Sequence, residues 1–232
     1  MKHAGRASRA ALKLIYWTLF GLLALALGGV LAKLLGELIV GLVCVLFGLW
    51  VVFSFFCFYF FRDPSPTVPR TPEAIVAPAH GTVDVIDELE GPPFLAGRCR
   101  RISIFLSVFD VHVQRAPVAG RVALCEHTPG QFLNAMRTDS AAYNENVLVG
   151  FESSERPGER VAVRLIAGAI ARRIVPWVKV EDAVERGERI SLIQFGSRCD
   201  LYLPGDCQIQ VRLQDRVRGG ETVVALRPCP PA

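Results

Sequence analysis

Three short segments, far apart in the chain, carry residue types that could do chemistry together. Residues 193–204 contain Phe195-Gly196-Ser197-Arg198 between two apolar runs. A serine hydroxyl held against the carbonyl that precedes it can attack its own backbone, and a preceding glycine obstructs that approach least. Residues 102–117 end a strand-like run with Asp110 and His112 two positions apart. On a continuing strand, positions i and i+2 share a face, so this carboxylate and imidazole would share one pocket. Residues 77–83, Ala-Pro-Ala-His-Gly-Thr-Val, put His80 at a turn within reach of the same cleft. Taken singly, each pattern is commoner in bland settings: Gly-Ser steps occur in ordinary turns, and an Asp-x-His pair more often serves structure than catalysis.

The elements that must position these groups are of two kinds. Residues 12–61 are almost continuously apolar, broken only by Lys13 and by the 32–37 stretch with Lys33 and Glu37, and the run stops at Arg62-Asp63-Pro64. That is room for two spans of about 20 residues, so a two-helix transmembrane hairpin is predicted within residues 1–62. A cleaved signal peptide would have a shorter apolar core followed by a small-residue site. Basic residues flank both ends, Lys2, Arg6, Arg9 and Lys13 before and Arg62 and Arg70 after, which places both ends in the cytoplasm. Residues 63–73 form a stiff proline-rich connector.

Beyond it, residues 74–232 alternate short Val- and Ile-rich runs with Gly, Pro, Asn and Asp, the texture of a mainly antiparallel β domain. Strands are expected near 74–76, 82–86, 101–106, 121–124, 147–151, 161–166, 190–194, 201–203, 209–213 and 222–226, with a helix expected only at 129–143. The pattern Ala-Pro-x-x-Gly-x-Val occurs at 77–83 and again at 116–122, as if one turn entered a strand twice, its glycine supplying an unusual backbone angle. This resembles a hammerhead, lipoyl-like β module. No Met-Lys-Met or Asp-Lys-Ala attachment site accompanies it, which argues against a lipoate or biotin carrier. The long coiled-coil insertions of a membrane-fusion adaptor are not seen either.

Charge and cysteine content narrow the function further. Of the 26 Lys and Arg and 22 Asp and Glu, residues 1–62 hold six and one, leaving 20 basic against 21 acidic in the remainder. A near-neutral soluble part gives no reason to expect a nucleic-acid partner. The mean hydropathy of +0.35 is carried by the apolar end. Seven cysteines at irregular spacing, without a Cys-x-x-Cys, make neither a disulfide framework nor a zinc site, and no metal is expected. Arg172 and Arg173 read equally well as a solvated strand end or as a site for phosphate or carboxylate.

Seven motifs occur in order from residue 60 onward. They are Phe60-Phe-Arg-Asp-Pro64, Ala77-Pro-Ala-x-Gly-x-Val83, Phe109-Asp-Val-His-Val-Gln-Arg115-x-Pro-Val-x-Gly120, Gly130-Gln-Phe-Leu-Asn-Ala135, Asn144-Glu-Asn146, Gly168-Ala-Ile-Ala-Arg-Arg-Ile174 and Phe195-Gly-Ser-Arg198. Together they resemble the short-type phosphatidylserine decarboxylases. The resemblance implies a proenzyme that cuts itself between Gly196 and Ser197 into a membrane-bound β chain and a small α chain. Ser197 would become a pyruvoyl cofactor, whose ketone condenses with the amine of phosphatidylserine and accepts the electrons released with carbon dioxide, giving phosphatidylethanolamine. His112 would move protons and Asp110 would orient it. The implied setting is an inner membrane with the catalytic domain on the cytoplasmic side; a homo-oligomer is left open, and archaetidylserine presents the same headgroup.

One position departs from the family pattern, which has Pro-Ala-Asp-Gly where this chain has His80. A carboxylate holds an imidazole in one tautomer and stabilises its cation, which a second imidazole does far less well. Three outcomes stay open: His80 is itself a base; a nearby acid such as Asp110 or Asp84 takes the role; or the chain is an uncleaved homologue that binds lipid or a partner without chemistry.

Overall fold

The computed structural model describes residues 6–95, 97–134, 141–169, 173–194 and 197–228. Its apolar run contains no proline, and it forms one continuous helix, α1 (Arg6–Phe60). This corrects the expected hairpin. Lys33 and Glu37 are not in a turn but form an i,i+4 pair 4.0 Å apart on one helix face. Gly36 alone lowers helix propensity by only about 1 kcal/mol, too little to break the backbone ladder. At 1.5 Å per residue α1 is about 80 Å long, and Tyr16–Phe60 is long and apolar enough to cross a membrane. The chain divides into two units, residues 1–57 and 58–232, so the last turn of α1 belongs to the second.

That second unit is built from antiparallel strands. The strands are β1 (Ala74–Val76), β2 (Gly81–Glu90), β3 (Arg98–Leu106), β4 (Val113–Arg115), β5 (Gly120–Thr128), β6 (Asn146–Ser153), β7 (Arg160–Ala167), β8 (Ile174–Pro176), β9 (Ala183–Val184), β10 (Arg189–Ile193), β11 (Ser197–Pro204), β12 (Gln208–Ile209), β13 (Arg216–Val217) and β14 (Val223–Leu226). One sheet runs β13-β2-β3-β11-β7-β6-β5-β9, and two small ones run β1-β14-β12 and β4-β10-β8. Because side chains alternate along a strand, β11 sends Cys199, Leu201 and Leu203 into the main core. Tyr202, on its other face, packs with Cys99 and Ala162 under Leu89, Phe94 and Leu95. A strand buried on both faces is held by two ladders and two cores, which makes β11 the most constrained element of the sheet.

The repeated motif proves to be a structural duplication. Ala77 donates its N–H to Thr222 O and accepts from Gly220 N–H; Ala116 does the same with Glu188 O and Gly187 N–H. Val83 and Val122 each exchange two backbone hydrogen bonds, with Gln214 and Asp215 and with Glu181 and Asp182 respectively. The partner loops match as well: Gln214 (φ 71°) answers Glu181 (φ 78°), and Gly220 (φ 78°) answers Gly187 (φ 80°). The two copies join through Val76 N–H to Pro117 O and Arg115 N–H to Pro78 O. Gly81 and Gly120 begin strands, and their reason is space rather than a turn angle. A Cβ at Gly81 would lie 2.2 Å from Phe105 O, and one at Gly120 would lie 2.1 Å from Glu152 O.

Four strands, β4, β8, β9 and β13, fall outside the sequence expectation; at two or three residues they are too short to show a period. The run expected at 209–213 reduces to β12. The described part of the helix expected at 129–143 holds no α-helix, only a 3-10 turn at 141–142. Gln131 bridges Asn144 instead, and the Asn144 side chain bonds both the N–H and the C=O of Leu133; residues 135–140 lie outside the described residues.

Candidate active site

Ser197 opens β11, opposite Leu106 of β3 and Ala167 of β7. It is fully buried, and among the described residues its Oγ has no hydrogen-bond partner. An unsatisfied buried hydroxyl costs about 1–3 kcal/mol, so a fold that keeps one invites a chemical explanation. Gly196, on the other side of the step, lies outside the described residues. So does Arg172. Arg173 is exposed, and its carbonyl accepts from Gln194 N–H at 3.2 Å.

The Asp110 and His112 segment is not a continuing strand. β3 ends at Leu106, directly across from Ser197, and the chain turns so that Asp110 N–H meets Ser107 O at 3.0 Å. The Asp110 carboxylate accepts from Ser107 N–H (2.8 Å) and Oγ–H (2.7 Å) on one oxygen and from Arg216 (3.0 Å) on the other. The expected strand alternation is therefore corrected: the hydrogen bond to the ring comes from the backbone, with His112 Nδ1 2.9 Å from the carbonyl oxygen of Asp110, while the Asp110 carboxylate acts on the imidazole through its charge. A carbonyl only accepts, so the ring proton sits on Nδ1 and the lone pair on Nε2. His112 O in turn accepts from Ile193 N–H at 3.2 Å, four residues before Ser197. The turn thus starts across from Ser197 and ends hydrogen-bonded to β10.

An aromatic side chain closes the imidazole from above. Phe60, the last residue of α1, is fully buried with its ring centroid 4.1 Å from that of His112. Two anchors hold it there. Arg62 donates to Tyr59 O (2.8 Å) and Phe109 O (2.7 Å). Asp63 receives the buried Arg115 at 2.5 Å and also Arg189, while Arg115 reaches Pro64 O and Gly187 O.

Burial is the main reason that the His112 pKa is lowered to about 4, with Arg62 acting in the same direction and the backbone bond and charge of Asp110 opposing it. At neutral pH the imidazole is an uncharged base. His80 is half-buried, and its Nδ1 accepts from Gly219 N–H at 3.2 Å, which puts its proton on Nε2. Its pKa is also lowered, first by burial, against Glu221 and with Arg115. Asp110 and Arg62 act on both imidazoles, so the two share one charge environment. Neither acid suggested as a stand-in for the family aspartate is spare. Asp110 is engaged as above, and Asp84 receives Arg198 on both oxygens at 2.9 and 2.5 Å.

Sequence reasoning gave no role to Ser107 or Arg216, none to Phe60 beyond its place in the Phe60–Pro64 motif, and did not pair Asp84 with Arg198. Ser107-x-x-Asp110 was readable as a side-chain-to-backbone turn. Phe60 stood at the head of a motif, but nothing in the sequence tied its ring to His112, and Arg216 carried no local signal.

Comparison with known proteins covers this part of the chain. The family model described as Phosphatidylserine decarboxylase matches residues 53–225. A phosphatidylserine decarboxylase proenzyme of Desulfotalea psychrophila is 46% identical over 169 residues, covering 73% of this chain and 78% of the relative. That of Zymomonas mobilis is 50% identical over 172 residues, 71% and 69%. That of Symbiobacterium thermophilum is 42% identical over 199 residues, 83% and 92%.

Proposed function

The chain belongs to the phosphatidylserine decarboxylase family, and we propose that it cuts its own backbone between Gly196 and Ser197 and then converts phosphatidylserine to phosphatidylethanolamine. The observation that carries this reading is the buried Ser197 Oγ, without a hydrogen-bond partner among the described residues, at the head of a doubly buried strand; the neutral His112 imidazole of the same domain is the base we assign to it. In the cut, Ser197 Oγ loses its proton to His112 Nε2 and attacks the Gly196 carbonyl carbon. The C–N bond breaks, the freed nitrogen takes up a proton, and an ester links Oγ to Gly196. Removal of the Ser197 Cα proton then expels the Gly196 carboxylate and leaves dehydroalanine. Water releases its nitrogen as ammonia, and a pyruvoyl group remains at position 197.

A fully buried hydroxyl without a hydrogen-bond partner among the described residues fits the formation of that group, and Ser197 itself would carry it. When present, it supplies a ketone that condenses with the substrate amine and takes up the electron pair freed with carbon dioxide. Phe60 keeps water from His112; Asp110, through its carbonyl, fixes which nitrogen holds the proton. The same imidazole returns a proton to the substrate carbon after carbon dioxide leaves. Arg173, with Arg172, meets the phosphate or carboxylate of the headgroup. His80 acts as a hydrogen-bonded neighbour at the cleft through Gly219 rather than as a copy of the family carboxylate.

The small chain from residue 197 would supply β11 to β14 and stay woven into the domain. We place the catalytic domain on the cytoplasmic side, because basic residues flank both ends of the apolar segment. A C-terminal reporter that is active only in the cytoplasm tests that placement; an inactive reporter refutes it.

Denaturing electrophoresis and intact mass test the cut. Two chains, the smaller bearing a blocked pyruvoyl end, are expected from the native sequence and one full-length chain from Ser197→Ala. A native sequence that stays whole would favour the uncleaved lipid-binding homologue.

A further inference from the structure

We propose that Arg198 and Asp84 form a positioning pair for the self-cleavage step, holding the downstream side of the Gly196-Ser197 bond still while the upstream side is displaced; this deepens the processing reading above and rests on it. Arg198 follows Ser197 directly, so it projects from the opposite face of β11. It is 1% exposed. Its guanidinium reaches past β3 to β2 and meets both oxygens of Asp84, at 2.9 and 2.5 Å, a two-point contact that fixes orientation as well as distance.

The partner is placed by a defect in the sheet. β2 pairs with β3 in register at Val83 opposite Ile104 and resumes at Val85 opposite Ser103, so Asp84 is the extra residue of a β-bulge. A bulge redirects the side chain of its extra residue out of the regular alternation. Here that residue is an acid, and its oxygens meet the arginine next to the scissile bond.

Chemistry supplies a reason for such a brace. When Oγ attacks, the Gly196 carbonyl carbon must leave the nitrogen of residue 197 and move to its side chain. The residue that follows must not drift with it, since a misplacement of about 1 Å costs on the order of 100-fold in rate. The ladders of β11 to β3 and β7 resist sliding of the strand. Arg198 adds a lateral hold at the residue that follows Ser197. After the cut, the same pair keeps the new end of the small chain seated.

Cell-free synthesis of the proenzyme followed by timed denaturing electrophoresis tests the pair. Arg198→Met and Asp84→Asn should each slow the appearance of the two chains about 10- to 100-fold at temperatures well below their melting midpoints. The double variant Asp84→Asn with Arg198→Met, which leaves no orphaned charge, should be no slower than the slower single. Arg198→Lys should restore part of the rate. Hydroxylamine, which intercepts esters, should cleave the Arg198→Met proenzyme less than the native one, a readout that a merely stabilising role would not move.

Native rates in both single variants would overturn the proposal. So would slowing that tracks the melting midpoint with hydroxylamine cleavage unchanged. A native chain that never splits overturns the processing reading itself, and the role of the pair with it.

Discussion

Replacing Phe60 with alanine should change the pH dependence of self-cleavage, because that ring is the cover that keeps the His112 imidazole dry. Phe60 is fully buried with its ring 4.1 Å from that of His112, and burial is the leading cause of a pKa lowered from 6.5 to about 4. Opening the cover lets water reach the imidazole, and its pKa returns toward the ordinary value. If the return is complete, the neutral fraction at pH 5.5 falls from about 97% to about 9%. The variant should then lose roughly tenfold more rate than the native chain between pH 8 and pH 5.5. The assay is cell-free synthesis, transfer to buffers across that range, and densitometry of the two product chains. Truncating a buried phenylalanine also costs about 3–5 kcal/mol of stability, so rates are compared below the melting midpoint. Phe60→Leu, which retains an apolar cover, should keep most of the native profile. A ratio of variant to native rate that is the same at pH 5.5 and pH 8 would refute the reasoning, since lost packing alone does not depend on protons here.

Other outcomes follow from the same geometry. Restoring the family residue with His80→Asp should preserve the bond from Gly219 N–H, because a carboxylate accepts, and should speed processing by about tenfold through the charge it adds beside His112; slower processing in a time course would show that the imidazole is itself required. Asp110→Asn should slow processing less than about tenfold, since the carbonyl rather than the carboxylate orients His112, while weakening the tie to Arg216 and lowering the melting midpoint. Native stability should fall as pH drops from 6.5 toward 4, because the unfolded chain takes up a proton that folded His112 refuses; His112→Gln should flatten that part of a denaturation series. Gly120→Ala should cost about 1–3 kcal/mol in denaturant titration, its Cβ falling 2.1 Å from Glu152 O.

The β character of the domain was legible because four to six apolar residues between turn formers announce a strand whatever its partner. The strands that escaped, β4, β8, β9 and β13, are defined by their neighbours and not by their own residues. The helix was legible as membrane-sized but not as continuous: two spans and one long helix share a composition, and only the Lys33–Glu37 register tells them apart. At the site, the identities of Ser197, His112 and Asp110 could be named from motif and spacing, whereas which atom of Asp110 meets the imidazole could not. Alternation assumed a strand where Ser107 and Asp110 build a turn. The covering role of Phe60 was hidden although its motif was visible, because a residue that covers a base and a residue that faces lipid are chosen by the same hydrophobicity.

The central place of β11 in the eight-stranded sheet decides what kind of object the matured protein would be. A break at its first residue gives two polypeptides that share every major layer, so they can melt only together. Reassembly, however, would become a bimolecular encounter in which neither partner has a fold of its own to return to. Cutting would convert a reversible equilibrium into a one-way commitment, and the persistence of the matured protein would be set by how slowly it opens rather than by how well it re-forms.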